Sequence, residues 1–450
     1  MTISIRSLLK NTVWTVGGYG FGQVLRLVTN IILARFLAPE LFGIMLIVTS
    51  LRVGIELISD VGISQNIVYH KNANDPEFYN TAWSLQVIRS VALWLVAVAI
   101  AVPFARFYNS PILAYVVPLT VFNSVLLGCS SISLALLRKR LEIAKLNIFE
   151  TVTSVIGSAG LILLAYLSPT IWSLVYGGLF GSTVVLIGSY FLLPDVKQRF
   201  YLSRQFVWEI LHFGKWIFVA SIVYFLSTNF DRLYLAKVVP LVILGVYGIA
   251  RSISESLGLV VWRLGNYVLF PLIASHAGMP RAELRAQLAS IRTRLLLLAG
   301  VGFSLIAATA DLPIKILYDQ RYQAAAWMLP LLIIGSWFSI LAYLNESTLL
   351  GLGKPSYAAV ANGTKFIFLL IALPASVFWF GLLGGIMVVV LSDLFRYFPI
   401  LIGQRREHFS FGAQDLLITL GTLALIGLFE WLRSASGFGN SFESLPIGPK

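Results

Sequence analysis

The stretch that decides the fold is FLSTNFDRLYLAKVVPLVILGVYGIARSISESLG, residues 225–258. Most of it is apolar enough to lie in a lipid bilayer, yet it also carries six strongly polar side chains: Asn229, Asp231, Arg232, Lys237, Arg251 and Glu255. Charges inside a bilayer are costly unless they face a protein interior or a water-filled cavity. The stretch therefore predicts two membrane helices that share a polar interior surface.

A similar stretch occurs 202 positions earlier, which is the separation of Trp14 from Trp216. Each copy contains Leu-Ala and a basic residue, followed by seven residues and a glycine. An arginine comes soon after each glycine, Arg52 in the first copy and Arg251 in the second. Repeats that enter the membrane from the same side are related by an axis along the membrane normal, a design typical of transporters.

The composition indicates a membrane protein. Hydrophobic residues make up 58% of the 450 residues and charged residues only 12%, whereas about a quarter of the residues in soluble domains are charged. The formal net charge of +13 does not favour a nucleic-acid partner, because the basic residues are not gathered in a soluble domain. Cationic cytoplasmic loops give membrane proteins the same excess.

Apolar runs of about 20 residues, the length that crosses a bilayer, predict an all-α polytopic protein. The twelve predicted spans are 12–35, 41–69, 81–104, 112–137, 146–168, 171–193, 211–236, 240–272, 291–311, 325–352, 356–380 and 382–403. They form an N-lobe (1–195), a cytoplasmic linker (196–210) and a C-lobe (211–405), followed by an apolar segment and tail (406–450). The run 416–432 is either a thirteenth span or a helix on the membrane surface.

Lysine and arginine in the connecting segments predict that the N-terminus is cytoplasmic. With that orientation, 17 basic residues face the cytoplasm: Arg6, Lys10, Lys71, Arg138, Lys139, Arg140, Lys145, Lys197, Arg199, Arg204, Arg281, Arg285, Arg292, Arg294, Lys354, Arg405 and Arg406. At most 7 face outward: Arg35, Arg106, Lys237, Lys315, Arg321, Arg433 and Lys450. Cytoplasmic loops carry such an excess. Segment 279–290 is either an interfacial helix or a solvated connector.

Sequence signatures of cofactor chemistry are missing. The chain has no G-x-x-x-x-G-K-(S/T) phosphate loop, no loop long enough for a nucleotide-binding domain, and no cluster of cysteine and histidine for a metal. The external loops are also too short to carry the catalytic carboxylates of a membrane glycosyltransferase. We therefore predict no cofactor, no metal and no catalytic residue.

Charged residues within the predicted spans are the main candidates for a functional site. The cations are Arg26, Arg52, Arg89, Lys215, Arg232, Arg251, Arg263, Lys365 and Arg396, and the acids are Glu56, Asp60, Glu150, Asp231, Glu255, Glu346 and Asp393. Each charge at the centre of a bilayer costs about 2.5–3.5 kcal/mol, so these side chains must face an interior.

Helical spacing places several of these charges side by side. Arg52, Glu56 and Asp60 follow one another at intervals of four, Arg251 and Glu255 are four apart, and Asp393 and Arg396 are three apart. Such neighbours lie on one helix face. They are either internal ion pairs that fix helix packing or parts of a transport site. Arg26 has no acid within one turn of its own helix, which favours contact with a ligand.

The excess of cations predicts a cavity for an anionic substrate, since guanidinium groups bind phosphate oxygens in a bidentate way. Seven residues are the substrate-binding candidates: Arg26, Arg52, Arg232, Arg251, Arg263, Lys365 and Arg396. Five acids are the ion-coupling candidates: Glu56, Asp60, Asp231, Glu255 and Asp393.

Three motifs resemble those of one transporter family. They are Arg138-Lys-Arg-Leu-Glu before the fifth span, Pro169-Thr-Ile-Trp-Ser-Leu-Val before the sixth, and Asn229-Phe-Asp-Arg followed by Gly245-x-Tyr. Over about residues 5–405 the chain resembles the Wzx-type flippases of O-antigen and exopolysaccharide repeats, members of the multidrug/oligosaccharidyl-lipid/polysaccharide exporter superfamily. A thirteenth apolar run departs from the twelve-span pattern of that family.

The resemblance implies two six-helix lobes around a central cavity, and alternating access that moves undecaprenyl-diphosphate-linked oligosaccharide across a bacterial inner membrane. It implies that Arg26, Arg52, Arg232 and Arg251 hold the diphosphate and that Asp231 serves ion coupling. Its implied partners are the lipid-linked oligosaccharide, membrane lipids, a polysaccharide polymerase and glycosyltransferases. Two alternatives remain open, an ion-coupled drug antiporter of the same superfamily and a membrane glycosyltransferase or polymerase.

Overall fold

The computed structural model describes residues 5–59, 62–63, 66–67, 70, 75–140, 142–264, 273, 279–443 and 445, and all regular structure in these residues is helical. Fourteen helices are named in chain order. They are α1 (Ile5–Phe36), α2 (Pro39–Ile58), α3 (Pro76–Phe107), α4 (Leu113–Gly128), α5 (Ser133–Lys139), α6 (Ile143–Leu167), α7 (Ile171–Ser189), α8 (Arg204–Val238), α9 (Leu241–Leu264), α10 (Arg281–Ala308), α11 (Asp311–Leu317), α12 (Ala325–Gly351), α13 (Ser356–Arg406) and α14 (Gly412–Ala435). A 3-10 turn covers Gln320–Tyr322.

The chain divides into two compact units, Met1–Phe225 and Leu226–Lys450. In the first unit α6 packs against α1 and α7, and α4 packs against α3 and α7. In the second unit α12 packs against α9 and α13, and α10 packs against α14. Helix α8 already begins within the predicted linker 196–210, and the predicted lobe boundaries stay predictions.

The two predicted hairpins have matching helix bounds. Helix α1 ends at residue 36 and α2 begins at 39, while α8 ends at 238 and α9 begins at 241. Both bounds are displaced by the same 202 positions that align the sequences. Leu33 and its counterpart Leu235 are both buried. The matching bounds support an internal repeat.

Nine helices in the described part of the chain are long and apolar enough to cross a membrane, and the bent pair α4–α5 makes a tenth. The two helices of this pair meet at 56°. Helix α13 contains two predicted spans, 356–380 and 382–403, which meet at Gly381. That residue has φ +61° and ψ −152°, a backbone conformation that glycine adopts without a steric penalty.

Two predicted bounds differ from the structure. The predicted span 41–69 ends as a regular helix at Ile58, where Arg89 of α3 donates to the Glu56 carbonyl oxygen (2.6 Å) and to Ser59 Oγ (3.0 Å). Arg89 thereby satisfies a carbonyl group that the end of α2 leaves open. Segment 279–290, predicted as an interfacial helix or a connector, instead forms the first turns of α10, with Leu284 and Leu288 buried.

Arg292, which was predicted among the cytoplasmic cations, has a buried side chain, and its side of the membrane stays a prediction. Its side chain is 2% exposed within α10 and pairs with Asp415 of α14 at 2.5 Å. At the other end of the two helices, Arg433 pairs with Asp311 at 2.5 Å. Burial raises the pKa of Asp311, but hydrogen bonds from Arg433 and Lys315 lower this pKa below its ordinary value overall, so the second pair is charged at neutral pH.

Helix α14 therefore runs parallel to α10. Between the two ion pairs, Ser304 of α10 donates to the Thr422 carbonyl oxygen (3.0 Å). The outward face of α14 is apolar, since Leu416, Leu417, Leu420 and Trp431 are all more than half exposed. Its 24 residues span about 36 Å at 1.5 Å per residue, enough for a hydrocarbon core about 30 Å thick.

We expect α14 to cross the bilayer. The residues that follow α14 should then lie on the side of the membrane opposite to the N-terminus. Single cysteines would be introduced into a Cys129→Ser background and labelled with a membrane-impermeant maleimide. Arg140→Cys and Arg285→Cys should react only from the cytoplasm, and Asp319→Cys and Ser436→Cys only from outside. Labelling of Ser436→Cys together with Arg140→Cys would show that α14 returns to the cytoplasmic side.

Candidate functional site

The hairpin of α8 and α9 holds four of the predicted charged residues in one cluster. Arg251 Nε lies 3.1 Å from Glu255 Oε1 and 3.5 Å from Asp231 Oδ2. Arg232 Nη2 lies 2.5 Å from Glu255 Oε2. The hydroxyl of Tyr247 donates to Asp231 Oδ2 at 2.5 Å. Each carboxylate of this cluster therefore has a charged partner and at least one short contact.

Helical spacing explains part of this cluster, and the hairpin explains the rest. Arg251 and Glu255 are four residues apart on α9, so their side chains lie on the same face. Asp231 and Arg232 lie on α8 and reach that face because a short turn holds the two helices together. Asp231 is only 3% exposed, and a buried carboxylate is stable only when it is paired.

A second charged cluster lies on α12 and α13. Lys365 Nζ is 2.8 Å from Asp393 Oδ1, and Ser339 Oγ donates to Asp393 Oδ2 at 2.6 Å. Arg396 pairs with Glu346 and lies 3.9 Å from Asp393. Its guanidinium group also stands 4.3 Å from the ring centroid of Tyr343, a cation–π contact.

The helices that carry the two clusters are in contact, since α9 packs against α12 and Ser254 Oγ lies 3.2 Å from Ser336 Oγ. Together the two clusters contain four cations and four acids. The cations are Arg232, Arg251, Lys365 and Arg396, and the acids are Asp231, Glu255, Glu346 and Asp393. The predicted excess of cations is therefore absent from these two described clusters, which contain equal numbers of cations and acids.

The first unit holds a smaller site around Glu56. Its Oε1 accepts from Ser124 Oγ at 2.5 Å and lies 3.6 Å from Arg52 Nη1. Among the residues that the structure describes, Arg52 Nε is buried without a hydrogen-bond partner. A cavity of about 440 Å³ opens beside the carboxylate and is also lined by Gln86 and Arg89.

The remaining predicted site residues are less informative. Arg26 lies on α1 with an exposed side chain. The side chain of Arg263 and the whole of Asp60 lie outside the described residues. Among the residues that the structure describes, no group of three or more His, Cys, Asp and Glu side chains is arranged to hold a metal ion.

Four members of these sites were not predicted as site residues: Ser124, Tyr247, Ser339 and Glu346. Glu346 carried one signal, since it is an acid within a predicted span. Tyr247 carried another, as the tyrosine of the Gly245-x-Tyr motif. The two serines carried none, because serine is an ordinary residue in membrane helices. Only the contacts with Glu56 and Asp393 distinguish them.

A family profile described as "Polysaccharide biosynthesis protein" matches residues 32–327, well over half of the chain. This chain belongs to that family. The matched region contains Arg52 and Glu56 in the first unit and the whole cluster of α8 and α9 in the second. The predicted resemblance to a polysaccharide transporter family is thereby confirmed.

Individual members and relatives carry consistent names. A "Putative O-antigen transporter" of Shigella flexneri is 23% identical over 84% of this chain and 93% of its own length. The "Succinoglycan biosynthesis transport protein ExoT" of Rhizobium meliloti (strain 1021) is 24% identical over 72% of this chain and 65% of its own length. The "Lipopolysaccharide biosynthesis protein WzxC" of Escherichia coli (strain K12) is 26% identical over 56% of this chain and 51% of its own length.

Solved structures show the same fold. "Lipid II flippase MurJ, inward closed conformation" has a TM-score of 0.67 at 12% identity and covers 93% of this chain and 92% of its own. An inward-facing multidrug resistance MATE family transporter of the MOP superfamily has a TM-score of 0.66 at 14% identity, with 94% and 96% covered. The likeness confirms the predicted fold class, an all-α polytopic membrane protein of about twelve spans in two lobes.

Proposed function

We propose that this protein is a flippase that moves a diphosphate-linked lipid oligosaccharide from the inner to the outer leaflet of a bacterial inner membrane. The exported unit serves the synthesis of a surface polysaccharide. The observation that carries the proposal is the set of guanidinium groups inside the membrane helices of a polysaccharide biosynthesis family, above all Arg52 and Arg251. The sequence of a relative named as an O-antigen transporter aligns with most of this chain.

The pairing of these arginines suggests how transport is coupled to an ion. Guanidinium groups bind diphosphate oxygens through charge-assisted hydrogen bonds. Arg251 already contacts Glu255 and Asp231, so an arriving diphosphate competes with both carboxylates. A carboxylate that loses its cation inside a membrane must take up a proton or another cation. Substrate binding and ion uptake are thereby linked through one arginine.

The sugars need no specific site in this scheme. The cluster binds the common diphosphate, while the rest of the oligosaccharide remains in the water-filled space. A variable glycan is compatible with this arrangement, because the charge-assisted bonds are made to the group that all such lipids share. The polymerase and the glycosyltransferases act before and after transport in the same proposal.

A drug antiporter remains the second candidate because the MATE transporters share the fold. At 14% identity that likeness concerns the fold alone. A site for a cationic drug needs carboxylates that are available to it. In the described clusters, Asp231, Glu255 and Asp393 each have a cationic partner within 3.5 Å, so a cationic drug would have to displace a cation of the protein.

The function is tested by deleting the gene in its own host. We expect the surface polysaccharide to disappear while its lipid-linked repeat accumulates on the cytoplasmic side of the membrane. Reintroducing the intact chain should restore export. The antiporter would be supported instead if the deletion strain accumulated no lipid-linked repeat, and if the intact chain restored export of a dye and not of the polysaccharide.

In the first unit, Arg52→Ala should reduce export strongly, and Arg26→Ala should do the same if that exposed arginine meets the diphosphate. Lysine at either position keeps the charge but loses the planar fork, so we expect partial activity. Export is measured in the deletion strain, with the amount of protein in the membrane determined by immunoblot. The matched control is Arg35→Ala, an exposed arginine in the last turn of α1. Normal export by both Arg52→Ala and Arg26→Ala would show that these two arginines have only a structural role.

A further inference from the structure

Two apolar grooves lie beside helix α6, separated by a ridge formed by Ile148 and Val152. One groove, of about 550 Å³, lies between α6 and α7, and the other, of about 460 Å³, lies between α1 and α6. Both ridge residues line both grooves. Their side chains are 51% and 50% exposed, so the ridge stands between two open channels.

A basic side chain lies at one end of this surface. Lys145, in the first turn of α6, is exposed and lines the groove between α6 and α7. Its ammonium group donates to the Leu192 carbonyl oxygen at 2.6 Å, and two of its three donors remain available. Segment 138–145 contains four basic residues and one acid, and Arg140 within it is exposed.

We propose that this surface binds an anionic diacyl phospholipid, with one acyl chain in each groove and the phosphate at Lys145. The grooves are lined almost entirely by apolar atoms and lie between helices that the sequence predicts to span the membrane, so hydrocarbon chains are their natural occupants. Basic pockets between membrane helices bind anionic headgroups. Lys145 thus complements a negatively charged headgroup at the end of the groove that it lines.

The number of grooves decides which lipid is bound. Two grooves that share one ridge match two acyl chains joined at a single headgroup. A polyprenyl lipid has only one chain and would leave one groove unfilled. The grooves also share no lining residue with the cavity beside Glu56. The lipid site therefore does not depend on the proposed transport function.

Binding is measured by native mass spectrometry of the purified full-length protein, titrated with phosphatidylglycerol or with phosphatidylcholine of the same chains. Each basic residue near a membrane surface contributes about 1 kcal/mol to the attraction of an anionic lipid, which is about fivefold in affinity. We expect phosphatidylglycerol to bind about fivefold more tightly. Lys145→Gln should remove that preference, whereas Lys197→Gln, an exposed lysine outside both grooves, should keep it.

The grooves themselves are tested by filling one of them. A Cβ atom added at Gly17 meets no atom within 4 Å, and Gly17 lines the groove between α1 and α6. Gly17→Trp should therefore weaken the binding of both lipids. Gly302→Trp is the matched control, because that helical glycine of α10 also has open space around it and lies in neither groove.

Four results would overturn the proposal. Equal affinity for both phospholipids would exclude a phosphate site, as would an unchanged preference in Lys145→Gln. Lipid binding by Gly17→Trp equal to that of Gly302→Trp would exclude the groove. Displacement of phosphatidylglycerol by an equimolar polyprenyl phosphate would assign the surface to the tail of a polyprenyl lipid instead.

Discussion

Replacing Arg251 with alanine should abolish polysaccharide export. Arg251 contacts two carboxylates, Glu255 at 3.1 Å and Asp231 at 3.5 Å, and is the proposed partner of the substrate diphosphate. Arg251→Lys should retain partial export, because it keeps the charge but cannot form the bidentate contact. Export is measured in the deletion strain and is normalised to the amount of protein in the membrane.

Loss of export by Arg251→Ala alone does not separate binding from folding. The substitution leaves the buried Asp231 without its cation, and such an unpaired charge is destabilising by about 3–5 kcal/mol. The double variant Arg251→Ala/Asp231→Asn removes both charges and keeps an oxygen that accepts from Tyr247. We expect it to restore normal amounts of protein but not export. Normal export by the double variant would show that the arginine only neutralises Asp231.

Lys237→Ala is the positional control for this experiment. Lys237 lies in the last turn of α8 and is exposed, on the same hairpin as Arg251. It lies outside the ion-pair cluster described for α8 and α9, so we expect Lys237→Ala to export normally.

Asp415→Ala should cause the largest loss of stability in the second unit. It leaves Arg292, which is 2% exposed, as a buried cation without its ion-pair partner. Asp415 also accepts from Asn345 Nδ2 (2.8 Å) and from the Tyr397 hydroxyl (2.7 Å). Breaking a buried pair from one side costs about 3–5 kcal/mol, so the thermal unfolding midpoint in detergent should fall clearly.

An exposed ion pair serves as the control, although its Asp319 also accepts from the Arg321 backbone N–H at 2.9 Å. Asp319 pairs with Arg321 at 2.5 Å, the same distance as between Asp415 and Arg292, but the side chains are 37% and 44% exposed. Exposed pairs contribute about 0–1 kcal/mol. Asp319→Ala should therefore leave the midpoint nearly unchanged. Equal shifts for the two variants would mean that burial of the pair at Arg292 does not hold α14 in place.

Hydropathy and helical spacing predicted a large part of this structure. Most of the predicted spans coincide with helices, and the division at 381 coincides with a backbone break at Gly381. Pairs within one helix, such as Arg52 with Glu56 and Arg251 with Glu255, were also predicted. Both kinds of feature depend on residues that are near one another in the chain.

Pairs between helices were not predictable in the same way. Lys365 and Asp393 are 28 positions apart, and Arg292 and Asp415 are 123 apart. No local pattern relates such residues, so the burial of Arg292 beside Asp415 could not be predicted. Glu346 was counted among the acids within the spans, but its pairing with Arg396 was not predicted.

The sequence by itself determined that the chain is an all-helical membrane protein with charges inside its spans. A helix that crosses the bilayer needs an apolar run of about 20 residues, and a charged residue within such a run is easily recognised. Tertiary structure decided which charges neutralise one another, which serine and tyrosine hydroxyls bind the carboxylates, and that α14 runs beside α10. The reason is that the packing of neighbouring helices determines which charged side chains are in contact, and this packing brings together residues that are far apart in the chain.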